Sequence, residues 1–244
     1  MTSQADSRAA DAPGAANGSP VPPPATGAAR YALADAVRDL ADLVATAAVP
    51  SEVLADATDT LARLARDLDQ SVGTTAALRS LGLVDTQAER RAADLHDVML
   101  GDFVVGRCNP LAPPLRVSTD ATTATMSGTF SARLQQPPGA VHVGILAAAF
   151  DIALAAANRL AGTTGPTVDL RVTQHRPTRP EVPITINAAV VSTSKRRVVS
   201  EGRLVQQGEV TASATGTFAI LSLDEVRSLL ARSRRHHDRP DRPR

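Results

Sequence analysis

Tryptophan is absent, tyrosine occurs once and phenylalanine four times, so aromatics make up only 2% of the 244 residues. A core built from this chain must draw on Val, Ile, Leu and Ala. One cysteine, Cys108, excludes an internal disulfide framework and fits a reducing compartment. It could in principle act as a nucleophile, but no histidine-bearing local signature surrounds it. A charge excess of either sign is also missing. The 26 Lys and Arg against 25 Asp and Glu leave a net charge of +1. The whole chain therefore has no electrostatic case for nucleic acid. Residues 1–30 lack the basic start and apolar run of a secretory signal. No segment reaches the ~18 uncharged apolar residues of a membrane span. The nearest, Ile145–Ala157, is short and contains Asp151. The expectation is a cytoplasmic, soluble chain, long enough for one large or two small domains.

What is present is organised around Pro137–Leu160, PPGAVHVGILAAAFDIALAAANRL. It opens with a Pro-Pro-Gly turn and His142, then runs as an Ala-rich helix that is apolar all round. Such a helix is expected to be buried. A carboxylate within it costs several kcal/mol unless it is paired, hydrogen-bonded or neutralised. Asp151 is then either partnered at an interface or a working acid/base group.

Before this helix, residues 1–30 are an Ala/Pro-rich stretch with too little apolar surface to offset the entropy of ordering, and disorder is expected. Residues 31–100 read as a helical extension. Leu33, Val37, Leu40 and Val44 form one stripe, Pro50 breaks it, and Ser51 can cap a second helix carrying Leu54, Leu61, Leu64 and Leu68. Arg38, Asp39 and Asp42, with Arg63, Arg66 and Asp67, are expected on the outer faces. Residues 70–101 read as a polar connector with a short helix around Gln87–Met99.

From Leu115 the period changes to two. Met126, Gly128, Phe130, Ala132 and Leu134 alternate with polar residues, and so do Val168, Leu170 and Val172 after the helix. Ile184 to Val190, Val198 to Val205 and Val210 to Ile220 continue the pattern as a meander of about four strands. Ser194–Arg197 and Gln207-Gly208-Glu209 are the turns. An antiparallel sheet with one face on a helix is an α+β architecture. Residues 223–244 read as a short helix (Val226, Leu229, Leu230) and a basic, Pro-containing, disordered tail. His236 and His237 in that tail lack a third partner at useful spacing, so no metal site is expected.

These features together resemble the hotdog-fold acyl-CoA thioesterases, in particular the phenylacetic-acid-pathway (PaaI-like) subfamily. The likeness covers about Phe103–Leu221, and the hotdog domain is placed at residues 101–222. Three matches carry it. His142-Val143-Gly144, nine residues before Asp151, matches the family's His-Gly-Gly and helix Asp. Thr167, two before Asp169, matches a small hydroxyl residue on the next strand. Pro177 matches a proline that ends that strand. Two departures are plain: Val143 replaces the first glycine, and Ile152 stands where many relatives carry a second acid.

The resemblance implies a sheet wrapped around the helix and a homodimer joined edge to edge, in many members a dimer of dimers. It implies acyl-CoA as substrate, no cofactor beyond the substrate's own coenzyme A, and active sites at the subunit interface. Asp151 of one subunit would face the His142 loop of the other, with Val143 supplying the oxyanion N–H. Gln136 falls where relatives carry an Asn or Gln that positions water or carbonyl, and Thr167 where a hydroxyl holds the water or the Asp. His142 would orient its loop or contact the thioester.

The chemistry is also arguable from the residues. A carboxylate stripped of water is the better general base, and it can instead attack directly. The helix start at Val143-Gly144 offers free N–H groups and the positive dipole end to a developing oxyanion. Lys195, Arg196, Arg197, Arg171, Arg176 and Arg179 are candidates for the coenzyme A phosphates. Asn158, two turns beyond Asp151, reads as structural. One alternative is a degenerate hotdog protein that binds acyl-CoA or serves as an assembly module. Another is a dehydratase or hydratase, which would need a histidine close to Asp151 in the helix, whereas none follows until His175.

Overall fold

A computed structural model describes residues 24–71, 99, 101–137, 139–163 and 165–221. Two helices lead the chain, α1 (Pro24–Thr46) and α2 (Ser51–Ser71). The start of α1 corrects the expectation of disorder through residue 30. Pro24 is tolerated at the first helical position, because that N–H has no intrahelical acceptor anyway, and the following alanines favour helix. The expectations for residues 1–23, for the connector and short helix over 72–98, and for the tail from 222 lie outside the described residues.

The face of α1 is also rotated from the expected stripe. Leu33, Leu43 and Val44 are exposed while Ala34 is buried. Arg38 and Asp42, expected outside, turn inward. Arg38 reaches the carbonyls of Asn109 and Ala112, and Asp42 pairs with Arg133. Hydrogen bonds to the loop below outweigh the preference of these side chains for water. On α2 the leucine stripe stays exposed, with Leu54, Leu61, Leu64 and Leu68 all open to solvent.

The sheet has six antiparallel strands in the order β1-β2-β6-β7-β8-β5. They are β1 (Arg116–Thr119), β2 (Ala124–Gly128), β5 (Thr167–Gln174), β6 (Ile184–Thr193), β7 (Arg197–Gln206) and β8 (Glu209–Ala219). A small separate hairpin pairs β3 (Gln135–Gln136) with β4 (Ala140–Val141) after a 3₁₀ turn at Ala132–Leu134. Strands β6, β7 and β8 form the expected meander. Gln207 and Gly208 both have positive φ at the β7–β8 turn, the two-residue geometry whose twist matches the strands. Strand β5 departs from the expected meander, because it crosses to the far edge and pairs with β8, Thr167 opposite Phe218. Among the described residues its outer side has no partner strand, and Val168 is 55% exposed.

Between β4 and β5 runs α3 (Val143–Leu160), which lies across the sheet. Leu146, Ala149, Phe150, Ala153, Leu154 and Ala157 face inward. Gly202 and Gly216 lie beneath it. A Cβ on Gly216 would come within 2.8 Å of the Phe218 ring and 2.9 Å of Leu154 Cδ1, so glycine lets the helix sit close. The scarce aromatics occupy the centre: Phe130, Phe150 and Phe218 are among the largest fully buried side chains. The core is thus not aliphatic alone. Phe150→Ala is expected to lower stability by about 3–5 kcal/mol, read as a shifted urea midpoint at unchanged slope.

Only one face of α3 is buried in this way, which corrects the expectation of a helix buried all round. Among the described residues it is the one helix long and apolar enough to cross a membrane. Its apolarity has another explanation. One face packs on the sheet, and Ile145, Ala148, Ile152 and Ala155 on the other line two apolar cavities of about 190 and 200 Å³.

Candidate active site

The site residues sit at the two ends of a short path along α3. At its start, the β3–β4 hairpin delivers His142 with its N–H donating to Leu134 O at 2.9 Å. His142 is the N-cap, with extended backbone (φ −60°, ψ 133°). Its Nδ1 accepts from Gly144 N–H at 2.9 Å. An Nδ1 that accepts carries no proton, so the neutral ring is protonated at Nε2, which is free to donate outward. Gly144 permits this fold-back, since a Cβ there would lie 3.1 Å from Nδ1.

This cap changes the expected donor pair. Gly144 N–H is already engaged by His142. Val143 N–H, the first of the helix, has no intrahelical acceptor and makes no hydrogen bond among the described residues. One backbone donor therefore remains where two were expected. The Val143 side chain is 40% exposed and points away from the core.

Asp151 lies two turns further along α3, half-buried rather than sealed. Thr167 Oγ1, at the start of β5, donates to Asp151 Oδ1 at 2.6 Å. One carboxylate oxygen is thereby fixed in direction. Val143 and Asp151 are eight residues apart on one helix, ~12 Å along its axis at 1.5 Å per residue. A single thioester carbonyl cannot touch both groups of one chain.

Gln136 lies on β3, pairs with Ala140, and its side chain makes no hydrogen bond among the described residues. It does not contact Asp151. Asn158 is buried, and its Oδ1 accepts from Ser200 Oγ at 2.5 Å, tying α3 to β7.

The cationic candidates divide by position. Thr167 is opposite Phe218, and Phe218 is opposite Val198. The exposed Lys195-Arg196-Arg197 turn is therefore at the same end of the sheet as Thr167, two strands away, about 10 Å. Arg171 is exposed in the middle of β5. Arg176 is at the opposite end, as is Arg179, and Arg176 already forms an ion pair with Glu209. Burial raises the Cys108 thiol above its ordinary pKa although Arg30 and Arg107 oppose this, which keeps it protonated and a poor nucleophile near neutral pH. Among the described residues no cluster of three or more His, Cys, Asp or Glu could hold a metal ion.

Sequence reasoning missed the residues that brace the region in front of α3: Arg38, Asp42 and Arg133. They carry no motif, and only their long-range contacts reveal them.

Comparison with known proteins agrees with this geometry. Residues 138–213 match the family model of the thioesterase superfamily. The crystal structure of a thioesterase superfamily protein is 26% identical, with a TM-score of 0.65 over 78% of this chain and 94% of that one. A single-residue mutant of the phenylacetic acid degradation protein PaaI from Thermus thermophilus is 28% identical, covering 44% of this chain and 93% of that chain at a TM-score of 0.41. The PaaI protein from the E. coli phenylacetic acid degradation operon is 21% identical, over 44% and 80% of the two chains, at 0.42. No curated protein matches the sequence. Helix α3, its capping His142 and the sheet it crosses thus form a hotdog fold, and residues 138–213 within it are similar to the thioesterase superfamily.

Proposed function

We propose that the protein is a PaaI-like acyl-CoA thioesterase that works as a homodimer. The observation that carries the reading is the pair on α3: a free Val143 N–H at the helix start and Asp151 held by Thr167, ~12 Å apart. In a two-fold dimer the Asp151 of one subunit completes the site at Val143 of the other. The unpaired outer side of β5 and the partly open face of α3 supply the surface for such a dimer.

The thioester carbonyl oxygen accepts from Val143 N–H, with His142 Nε2 as a second donor in reach of the helix start. Asp151 takes a proton from water as the water oxygen bonds to the carbonyl carbon. The C–S bond then breaks, and the departing thiolate takes up that proton as coenzyme A. Attack by Asp151 itself, through an anhydride that water opens, uses the same groups. Gln136 positions water or carbonyl. The Lys195-Arg196-Arg197 turn takes the phosphates of coenzyme A.

The test is thiol release from acetyl-, hexanoyl-, dodecanoyl- and phenylacetyl-CoA by the full chain. Release from at least one is the expected result. Val143 in place of glycine favours a second reading, a binding module without turnover. Tight acyl-CoA binding with no thiol released would establish that reading instead.

A further inference from the structure

The cavity of about 190 Å³ at the start of α3 is lined in part by Leu111 and Arg133, and Leu111 belongs to a loop held in an unusual way. Four consecutive backbone carbonyls, Asn109 to Ala112, are held by two guanidinium groups. Arg38 donates from Nε to Ala112 O at 2.8 Å and from Nη2 to Asn109 O at 3.2 Å. Arg133 Nη2 lies 3.4 Å from both Pro110 O and Leu111 O. The two side chains are only 12% and 10% exposed, and each is compensated by an aspartate of α1, Asp35 and Asp42. Asn109 stiffens the loop from within, its Oδ1 accepting from Leu111 N and its Nδ2 donating to Gly101 O. A loop fixed from both sides is a rigid surface.

That surface faces the helix start. Leu111 and Pro113 line the cavity together with Ile145 and Ala148 of α3, Leu134 and the 49%-exposed Phe103. Ile145 is two residues past Val143, and Leu134 O binds His142 N–H. The space is therefore at the same end of α3 as the Val143 N–H, although Val143 itself does not line it. We propose that this cavity is the acyl chamber, and that the 109–112 loop, pinned by Arg38 and Arg133, is its end wall. The proposal rests on the thioesterase reading above.

The volume states the ligand class. An apolar cavity of ~150 Å³ accepts a benzene molecule, so one of 190 Å³ takes a single aryl ring or a tail of about six carbons. Longer chains meet the wall. The helical extension thus acts on substrate choice, with Arg38 as a positioning residue that never touches substrate.

The experiment compares kcat/KM across acetyl-, hexanoyl-, phenylacetyl- and dodecanoyl-CoA for wild type, Arg38→Met, Arg38→Lys, Ala148→Val and Ala148→Phe, each checked for folding by circular dichroism. Wild type is expected to favour hexanoyl or phenylacetyl over dodecanoyl by about tenfold or more, within the range known for apolar size discrimination. Arg38→Met loosens the wall and removes most of that preference through a lower KM for dodecanoyl-CoA, and Arg38→Lys restores part of it. Ala148→Val and Ala148→Phe shift the preference progressively toward acetyl. An unaltered length profile in the folded variants, with hydrolysis intact, overturns the chamber and leaves the thioesterase reading standing. If no acyl-CoA is hydrolysed by any protein, the thioesterase reading fails and thermal shift decides the chamber. Stabilisation of wild type by hexanoate or phenylacetate, lost in Ala148→Phe or Ala148→Val, supports it, and no stabilisation overturns it.

Discussion

Asp151→Asn lowers the hydrolysis of the best acyl-CoA by about 10²–10⁴-fold, the range that removal of a general base produces. The amide has the size of the carboxyl group, and its oxygen can still accept from Thr167 Oγ1. Position and packing are therefore kept while proton uptake is lost. Because Asp151 is half-buried and on the open side of α3, stability changes little, and the thermal midpoint is expected to stay within a few degrees. The loss falls on kcat and not on KM if Asp151 acts only once the thioester is bound. Hydrolysis at the wild-type rate by Asp151→Asn would remove Asp151 from the mechanism.

The second large effect comes from Val143→Pro. Proline lacks the N–H proposed to polarise the carbonyl, and its fixed φ suits the first residue of a helix. It also asks the preceding residue for extended backbone, which His142 already has at φ −60° and ψ 133°. The exposed Val143 side chain gives up little packing. The substitution thus deletes one donor and almost nothing else, and is expected to cost about 10²–10³ in kcat. Combined with the first variant it becomes a test of assembly. In the proposed dimer each variant homodimer would be nearly inactive, whereas a mixed dimer would join an intact Asp151 to an intact Val143 at one of its two sites. Unfolding and refolding the two variants together should return about a quarter of wild-type activity, since half of randomly paired two-fold dimers are mixed and each has one good site. No recovery on mixing would mean that the two groups do not meet across an interface.

Much of this was readable from the chain. The turn, the histidine and the apolar helix with a single acid marked Pro137–Leu160, and strict alternation placed β6, β7 and β8 near their observed bounds. Local periodicity is what a sequence displays directly. Three things escaped it. The edge position of β5 depends on a crossover, and alternation along a strand says nothing about its neighbours. The inward turn of Arg38 and Asp42 depends on carbonyls about seventy residues away and on Arg133, which make a polar face worth burying. The loss of Gly144 N–H to the His142 ring depends on a side-chain rotamer. Asp151 stood out as a lone acid in an apolar helix, and the roles expected of His142, Val143 and Thr167 came from the family resemblance, whereas the Thr167–Asp151 hydrogen bond and the His142 ring on Gly144 N–H required coordinates.

The order of strands also bears on how the chain reaches this state. β6, β7 and β8 are linked by tight turns, so their pairings close short loops. Thr167 of β5 must find Phe218 across an intervening meander. Loop-closure entropy and the slowness of non-local pairing favour the meander and its packing on α3 first, with β5 added last. The strand whose outer side is open is therefore also the last to be fixed. Joining a second subunit along that edge would lock the late strand from both sides. The final step of folding and the first step of assembly would then share one element, so dilution should slow refolding as well as reduce the active fraction.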